Sequence, residues 1–239
     1  MSFSRRSVVR SIATVLAISG LQPMKASAAS PLRIGVIGAG SLGGTVGSVW
    51  VKAGHEVIFS TRHPEELAPM VRELGPRARA GTAQQAAQFG SVVLFAVPYS
   101  ALAALGRELQ EDLRGKIVLD ACNASASASD ALSREARANG VGVTSAKYLP
   151  GTRLVRAFSA VDATAVESSF EGRGEKLGVP LAADDADALD LAAQLVRDAG
   201  CEPVIVGSLA RGKSFERGGP GFRANTNAPH LRTLLGVQR

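Results

Sequence analysis

Three glycines near the start of the chain have the spacing needed to hold a phosphate group. Gly38, Gly40 and Gly43 form a G-x-G-x-x-G pattern directly after the apolar run 32–37. In such a pattern the first glycine permits a tight turn, the second lets a pyrophosphate approach the backbone, and the third allows a helix to pack closely on the strand. A helix beginning near Ser41 would direct its free N–H groups at the phosphates. We therefore predict a dinucleotide-binding turn formed by Gly38, Ala39, Gly40, Ser41, Leu42 and Gly43.

A basic residue stands where a protein that binds NAD usually has an acid. That acid follows the second strand, about 20 residues beyond the glycines, and binds the ribose 2′-hydroxyl. Here the second strand is predicted over 57–59, and Ser60, Thr61 and Arg62 follow it. A carboxylate would repel a 2′-phosphate, whereas a guanidinium can donate two parallel hydrogen bonds to it. The sequence therefore predicts NADP(H), with Ser60 and Thr61 as further donors and His63 near the adenine.

The segments that must position this turn are apolar runs that alternate with helical patterns. Strands that are buried on both faces of a parallel sheet have such continuous apolar sequences. The alternation predicts an α/β fold with a Rossmann-type doubly wound parallel sheet. The strands are predicted over 32–37, 57–59, 77–80, 91–97, 116–120, 153–158, 176–182 and 202–206.

The chain after its first 28 residues is long enough for one such domain and an appendage. We expect an NADP-binding Rossmann domain over residues 29–160 and a small C-terminal α/β domain over 161–239. The stretch 211–228 is rich in glycine and charge, and we predict a loop there.

Further candidate residues follow from the position of ligands in parallel sheets. Ligands lie over the carboxyl ends of the strands, where the strand order reverses. This rule selects Val97, Pro98 and Tyr99 after the fourth strand, Asn123 after the fifth and Ser159 after the sixth. Pro98 would rigidify the loop that passes the pyrophosphate and ribose, and Asn123 could bind the nicotinamide ribose or carboxamide. The structural alternative is that Tyr99 packs, Asn123 caps a turn and Ser159 caps a helix.

The first 28 residues have the features of an export signal. Residues 4–10, SRRSVVR, resemble a twin-arginine signal, and the apolar stretch 12–21 is too short to span a bilayer as a helix. Ala-Ser-Ala at 26–28 is a typical cleavage site. We expect a periplasmic protein without membrane contact after cleavage. A general secretory signal and an uncleaved anchor are the alternatives.

The charge balance gives no indication of nucleic-acid binding. The chain has 27 Lys and Arg against 21 Asp and Glu, a net charge of +6. Four of the basic residues, Arg5, Arg6, Arg10 and Lys25, precede the cleavage site and no acid does, which leaves +2 for the rest. No basic stripe with interleaved aromatic residues is present.

The cysteines and histidines do not form a recognisable site. Cys122 and Cys201 lie in or beside predicted buried strands, where a cysteine usually serves as a small hydrophobic residue rather than in a disulfide. His55, His63 and His230 are scattered, and no Cys/His cluster has the spacing of metal ligands. We expect His55 to face solvent in a turn, and we predict no metal.

Longer segments of the sequence resemble one enzyme family. In their order along the chain they resemble the NADPH-dependent coenzyme F420 reductases, and more narrowly an exported bacterial branch of that family. The resemblance covers nearly all of the chain after residue 28, and the later segments are more specific than the glycine motif. The segments are 33–67 (RIGVIGAG…HPEEL), 93–102 (VLFAVPYSAL), 115–123 (GKIVLDACN), 149–161 (LPGTRLVRAFSAV) and 180–216 (PLAADDAD…GKSFE).

The resemblance implies an oxidoreductase in which NADPH passes a hydride to a second redox carrier across a cleft. That carrier is deazaflavin F420 in the namesake enzymes and flavin in related ferric-reductase domains, and a small redox substrate is the other option. The resemblance also implies that the small C-terminal domain caps the nicotinamide and that the protein dimerises through this domain. By position it assigns the pyrophosphate to 38–43, the 2′-phosphate to Ser60, Thr61 and Arg62, and the nicotinamide and its ribose to Val97, Pro98 and Asn123.

Hydride transfer needs few catalytic side chains, because the cofactor carries the chemistry and the protein orients it. We therefore identify no general acid or base. Lys147, Tyr148, Arg153 and Lys213 are candidates for the substrate side, and solvated surface is the alternative for each. The family often has Ala-Phe-Asn where this chain has Ala-Phe-Ser at 157–159, so the second-substrate side is where this chain departs from it.

Two other functions are compatible with the sequence. β-Hydroxyacid dehydrogenases and imine reductases also begin with a G-x-G-x-x-G domain, but they need a long helical C-terminal domain, for which the stretch after Val206 is short. A non-catalytic module that binds or senses a dinucleotide is the second alternative. Ser159 and the serine-rich loop 123–129 favour it.

Overall fold

Eight strands of the described part of the chain form one sheet. The computed structural model describes residues 30–238, so the export signal predicted over 1–28 lies outside the described residues. The strands are β1 (Arg33–Ile37), β2 (Glu56–Ser60), β3 (Ala78–Gly81), β4 (Val92–Phe95), β5 (Ile117–Asp120), β6 (Arg153–Arg156), β7 (Gly178–Ala183) and β8 (Glu202–Gly207).

The strand order is that of a doubly wound sheet with a C-terminal extension. The strands follow one another as β3-β2-β1-β4-β5-β6-β7-β8. Strands β1 to β6 are parallel, β7 is antiparallel to β6, and β8 is parallel to β7. The order reverses between β1 and β4, which is where ligands of such sheets lie. The predicted Rossmann-type fold is therefore confirmed.

Helices connect the strands and cover both faces of the sheet. They are α1 (Ser41–Lys52), α2 (Ala68–Leu74), α3 (Ala83–Phe89), α4 (Tyr99–Glu108), α5 (Gln110–Leu113), α6 (Ala131–Asn139), α7 (Val141–Tyr148), α8 (Ala163–Phe170), α9 (Ala186–Asp198) and α10 (Ala228–Leu235), with 3₁₀ helices at Pro64–Leu67 and Leu209–Phe215.

Helix α7 was not expected from its sequence, VGVTSAKY. Glycine and β-branched residues are poor helix formers, so its propensity alone does not predict a helix. A distant residue supplies the missing stabilisation: the buried Glu216 carboxylate accepts hydrogen bonds from the backbone N–H of Val141 (2.8 Å) and Gly142 (3.2 Å). A carboxylate at a helix N-terminus accepts hydrogen bonds from unpaired N–H groups and interacts favourably with the helix dipole. The predicted loop 211–228 also differs, because its first residues belong to the second 3₁₀ helix.

The predicted domain boundary near Ala160 falls in the loop between β6 and α8. The predicted strand 153–158 ends early, because Phe158 adopts a positive φ of 57° that breaks the extended backbone. Beyond the loop, β7 pairs with β6, so strands on both sides of the boundary share the sheet. The division into two domains stays a prediction.

Two side chains of the first βαβ unit bond directly to α9. The buried indole Nε1 of Trp50 donates to the carbonyl oxygen of Leu195 at 2.8 Å. His55 is also buried: its Nδ1 accepts from the backbone N–H of Leu32 at 3.1 Å, so its Nε2 carries the proton that bonds Asp198 Oδ2 at 3.0 Å. The prediction of a solvent-facing His55 was therefore wrong, since its ring forms part of this contact.

Both cysteines are free thiols within the core. Burial raises the pKa of Cys122 well above its ordinary value and raises that of Cys201 to about 11. Across residues 30–238, no helix has the length and apolar character needed to cross a membrane. The same residues contain no group of three or more His, Cys, Asp or Glu side chains that could hold a metal ion.

We predict opposite effects of alanine at two glycines of α1. A Cβ at Gly47 would lie 2.3 Å from Cε1 of the buried Phe59, whereas a Cβ at Gly44 would have its nearest neighbour at 3.5 Å. Gly47→Ala should lower the free energy of unfolding by about 1–3 kcal/mol through overpacking. Gly44→Ala should raise it by up to about 1 kcal/mol, because alanine is the better helix former. Urea unfolding of both variants measures this, and equal stabilities would contradict the close packing of α1.

Candidate dinucleotide-binding site

A cavity of about 670 Å³ lies over the carboxyl ends of β1, β2 and β4, where the strand order reverses. Its charged lining residues are Arg62 and Glu108, of which the sequence predicted only Arg62. Most of the remaining wall is backbone or apolar side chain. Eight residues that the sequence predicted line it together, namely Gly38, Ala39, Gly40, Ser60, Thr61, Arg62, Val97 and Pro98.

Each glycine of the motif has a different steric reason for being there. Gly38 has a φ of +98°, and a Cβ on it would lie 2.4 Å from the carbonyl oxygen of Ala96. A Cβ on Gly43 would lie 2.1 Å from the carbonyl oxygen of Gly38, so α1 could not pack against the turn. A Cβ on Gly40 would meet no atom within 4 Å. Gly40 therefore leaves open space at the cavity, as the predicted approach of a pyrophosphate requires.

Hydrogen bonds hold the glycine turn on β2, while the first N–H groups of α1 remain available to a ligand. The backbone N–H groups of Gly38 (3.1 Å) and Ala39 (2.8 Å) donate to the carbonyl oxygen of Ser60. Gly40 is the N-cap residue of α1, and no side chain caps the helix there. The first N–H groups of a helix have no partner within it, and they attract anions. Ser41 and Leu42 belong to this first turn, which is suited to a phosphate.

Residues 60–63, at the end of β2 and directly after it, differ in what their side chains offer. The buried Ser60 donates its hydroxyl to the carbonyl oxygen of Val36 at 3.0 Å, so this hydroxyl is engaged within the sheet. Arg62 is exposed at the cavity. His63 is also exposed but does not line the cavity, and its Nδ1 lies 3.4 Å from a carboxylate oxygen of Glu65.

After β4, Pro98 and Tyr99 have separate roles. Pro98 lines the cavity and is the N-cap residue of α4. Tyr99 is buried; its hydroxyl donates to the carbonyl oxygen of Val141 at 3.5 Å and accepts from Ser145 Oγ at 3.4 Å. Burial raises the pKa of the Tyr99 hydroxyl further above its already high ordinary value. Tyr99 therefore follows the structural alternative and packs.

Asn123 lies half-buried at the carboxyl end of β5 and does not line the cavity. Its amide is held on both sides, by Arg156 Nη2 at 3.3 Å from Oδ1 and by the carbonyl oxygen of Ser159 at 2.6 Å from Nδ2. Ser159 Oγ is buried and has no hydrogen-bond partner.

A buried ion pair beside Asn123 was not predicted from the sequence. Arg156 Nη1 lies 2.8 Å from Asp120 Oδ2, and both side chains are fully buried. The two residues are register partners on the neighbouring strands β5 and β6. Opposite charges that end two adjacent apolar runs were the available signal, since isolated charges are rarely fully buried.

The four predicted substrate-side residues are engaged elsewhere. Lys147 Nζ (2.6 Å) and the Tyr148 hydroxyl (2.9 Å) both contact the carboxylate of Glu135. The remaining two make contacts away from the cavity: Arg153 donates two hydrogen bonds to Asp185 at 2.6 and 2.7 Å, and Lys213 Nζ donates to the carbonyl oxygen of Ala138 at 2.9 Å.

Comparison with known proteins supports this fold. Residues 33–124 match the model of a family described as NADP oxidoreductase, coenzyme F420-dependent. The chain is similar to the hypothetical protein SMa0349 from Sinorhizobium meliloti, with 26% sequence identity and a TM-score of 0.64 over 83% of this chain and 93% of that one.

Two further solved structures share the fold. A provisionally named F420-dependent NADP reductase from Arthrobacter sp. FB24 has 22% identity and a TM-score of 0.66, over 86% of this chain and 96% of that one. An imine reductase from Myxococcus stipitatus, in complex with NADP⁺, has 17% identity and a TM-score of 0.57 over 74% of this chain. The match covers 56% of that enzyme, a little more than half.

The family match spans the glycine turn, Arg62 and Pro98 at the cavity, and it also includes Asn123 at the end of β5. Placement in the exported branch stays a prediction. Residues 33–124 are therefore similar to coenzyme F420-dependent NADP oxidoreductases, and this match indicates an NAD(P)-dependent oxidoreductase-type function.

Proposed function

We propose that the protein binds NADP(H) in the 670 Å³ cavity and passes a hydride between NADPH and a second redox carrier. The observation that carries this proposal is the meeting of three features at the reversal of strand order: the uncapped start of α1, the open space at Gly40 and the exposed guanidinium of Arg62. The first two suit a pyrophosphate and the third suits a 2′-phosphate.

The chain's own residues orient the cofactor rather than take part in bond making. The backbone at Gly40 and Ser41 would hold the pyrophosphate, and Arg62 the adenosine 2′-phosphate. The nicotinamide half would then extend past Pro98 toward the end of β5, because β4 and β5 are the next strands in the sheet. When bound, the nicotinamide supplies or accepts the hydride, so orientation and exclusion of water are what the protein contributes.

The second carrier is proposed from the resemblance of the sequence. Deazaflavin F420 and flavin are the two classes that it implies, and a small redox substrate is the third. The loops after β5 and β6 are the proposed acceptor side, because these two strands follow β4 in the sheet, in the direction in which the nicotinamide half would extend.

A specific observation favours a second candidate function, a non-catalytic module that binds a dinucleotide. The Asn123 amide is engaged on both sides within the protein, and Ser159 stands where the family often has asparagine. Such a module would bind NADP(H) without passing a hydride.

We also propose export to the periplasm through residues 1–28, on the basis of their paired arginines and Ala-Ser-Ala site. A route that carries folded proteins would allow NADP(H) to bind in the cytoplasm before export. We expect the chain in the periplasmic fraction to begin near residue 29, which N-terminal sequencing of that fraction measures. A full-length chain retained in the cytoplasm would contradict the proposal.

We predict that Arg62 selects NADPH over NADH. Arg62→Ala should weaken NADPH binding by about tenfold or more, since a hydrogen bond to a charged group contributes about 1.5–3 kcal/mol. NADH affinity should hardly change, because it lacks the 2′-phosphate. Isothermal titration of both nucleotides measures the ratio of dissociation constants. Arg72→Ala, which removes an exposed arginine of α2 that does not line the cavity, is the matched control.

A second variant blocks the proposed phosphate position without disturbing the fold. Gly40 has φ −74° and ψ −163°, a conformation that other residues adopt, and a Cβ there meets no protein atom within 4 Å. Gly40→Val should therefore fold normally and lose affinity for both nucleotides. Unchanged affinity in Arg62→Ala and in Gly40→Val would place the cofactor elsewhere.

Hydride transfer separates the enzyme from the binding module. The protein is mixed anaerobically with NADPH and either F420 or flavin mononucleotide, and the absorbance of both partners is recorded. We expect one molecule of acceptor to be reduced for each molecule of NADPH oxidised. Gly40→Val should abolish the reaction by preventing cofactor binding. Tight NADPH binding without transfer to either acceptor would instead support the non-catalytic module.

A further inference from the structure

Arg156 is a fully buried cation at the carboxyl end of β6. Its ion pair with Asp120 compensates its charge, because a buried charge is tolerated only when it is paired and hydrogen-bonded. A buried pair of this kind is weak evidence for a contribution to stability, since apolar residues of similar volume often stabilise a core at least as well. Because stability alone does not explain the pair, the other hydrogen bonds of Arg156 and Asp120 indicate its role.

The guanidinium holds the backbone that leads from β5 to Asn123. Its Nη1 donates to the carbonyl oxygens of Asp120 (3.0 Å) and Cys122 (2.7 Å). The Asp120 carboxylate holds the same segment from the other direction, because its Oδ1 accepts from the backbone N–H of Cys122 at 2.9 Å. The pair thus holds two carbonyl oxygens and one N–H group of residues 120–122, directly before Asn123.

The same guanidinium also sets the orientation of the Asn123 side chain. Arg156 Nη2 donates to Asn123 Oδ1 at 3.3 Å, and Asn123 Nδ2 donates to the carbonyl oxygen of Ser159 at 2.6 Å. A guanidinium can only donate and a carbonyl can only accept. If the amide were flipped, its NH₂ group would face the N–H of Arg156 and its oxygen would face the carbonyl oxygen of Ser159. Neither pair could form a hydrogen bond, so one orientation is selected.

This orientation decides what Asn123 can offer to a ligand. A second Nδ2 contact, to the carbonyl oxygen of Ala121, is long at 3.5 Å. The carboxamide oxygen keeps one lone pair after it accepts from Arg156. Asn123 is therefore arranged to accept a hydrogen bond, as a ribose hydroxyl or a carboxamide N–H of the nicotinamide half would donate.

The surrounding chain is shaped around Arg156. A Cβ at Gly142 of α7 would lie 2.9 Å from Arg156 Cγ, so this helix packs directly on the arginine side chain. Phe158 holds a positive φ of 57° two residues after Arg156, and the next residue supplies the carbonyl that Asn123 binds. Unusual backbone conformations of bulky residues often mark functional sites.

We propose that Arg156 is a positioning residue that acts through Asn123 to set the nicotinamide half of bound NADP(H). This inference rests on the proposed function, because it assumes NADP(H) in the cavity. Arginine is required rather than lysine, since one ammonium group cannot contact Asp120, the Cys122 carbonyl and Asn123 in a single plane.

The test compares a whole cofactor with a fragment of it. NADPH contains the nicotinamide half, whereas adenosine 2′,5′-bisphosphate contains only the part that Arg62 would bind. The variants are Arg156→Lys, Asn123→Ala and their combination. Arg153→Lys is the matched control, because Arg153 lies on the same strand but pairs with Asp185 away from the cavity.

We expect Arg156→Lys to weaken NADPH binding by about tenfold while the dissociation constant of the bisphosphate stays within about twofold. The fluorescence anisotropy of bound NADPH should fall, because the nicotinamide ring would be less restrained. Asn123→Ala should have the same effect, and the double variant should be no weaker than either single one, as expected for residues that act as one unit. Arg153→Lys should change neither ligand.

Other outcomes would overturn the inference. Equal weakening of both ligands, or additive effects of the two substitutions, would mean that Arg156 supports the fold in general. If Arg156→Lys does not fold, Asn123→Ala replaces it, since Asn123 is only half-buried and its loss leaves the ion pair intact. An unchanged ratio of the NADPH and bisphosphate dissociation constants in Asn123→Ala would then reject the proposal. Failure of the wild-type protein to bind either ligand would instead reject the proposed function, and the inference with it.

Discussion

The close approach of α1 to the sheet is the constraint on which the candidate site depends. Gly43 brings the helix against the carbonyl of Gly38, and Gly47 brings it against the ring of Phe59. Side chains at these positions would move α1 outward and displace its first N–H groups from the reversal of strand order. The glycines thus determine where an anion could bind, although only Gly40 faces the open space.

The site is built differently at its two ends. At the end proposed for the adenosine, it consists of the exposed Arg62 on a short loop and the first turn of α1. At the other end the groups are buried and bonded to one another, and the orientation of Asn123 follows from Asp120 and Arg156. Exposed charges can adjust to a ligand, whereas a buried network presents one fixed arrangement. Such a division is consistent with a cofactor held by one end and aligned at the other.

Much of the fold and the lining of the cavity at the glycine turn could be predicted because their signals are local. Most of the parallel strands are short apolar runs, and the glycine spacing needs only six residues. The missed features depend on distant partners. Helix α7 forms from an unfavourable sequence because Glu216 holds its N-terminus, and His55 is buried because α9 supplies Asp198. Ser60 was assigned a ligand-facing hydroxyl, but its partner is the carbonyl of Val36 on the neighbouring strand. These contacts join residues that are far apart in the sequence, so patterns of residue spacing do not predict them.

The contacts of Trp50 and His55 with α9 have a consequence for synthesis of the chain. Both partners on α9 lie more than 140 positions further along: 145 separate Trp50 from Leu195 and 143 separate His55 from Asp198. While the ribosome is still adding those residues, the first βαβ unit has a buried indole and imidazole without their partners. The glycine turn and its helix can therefore reach their final packing only when most of the chain has been translated. Cofactor capture belongs to the finished polypeptide rather than to its nascent N-terminal half.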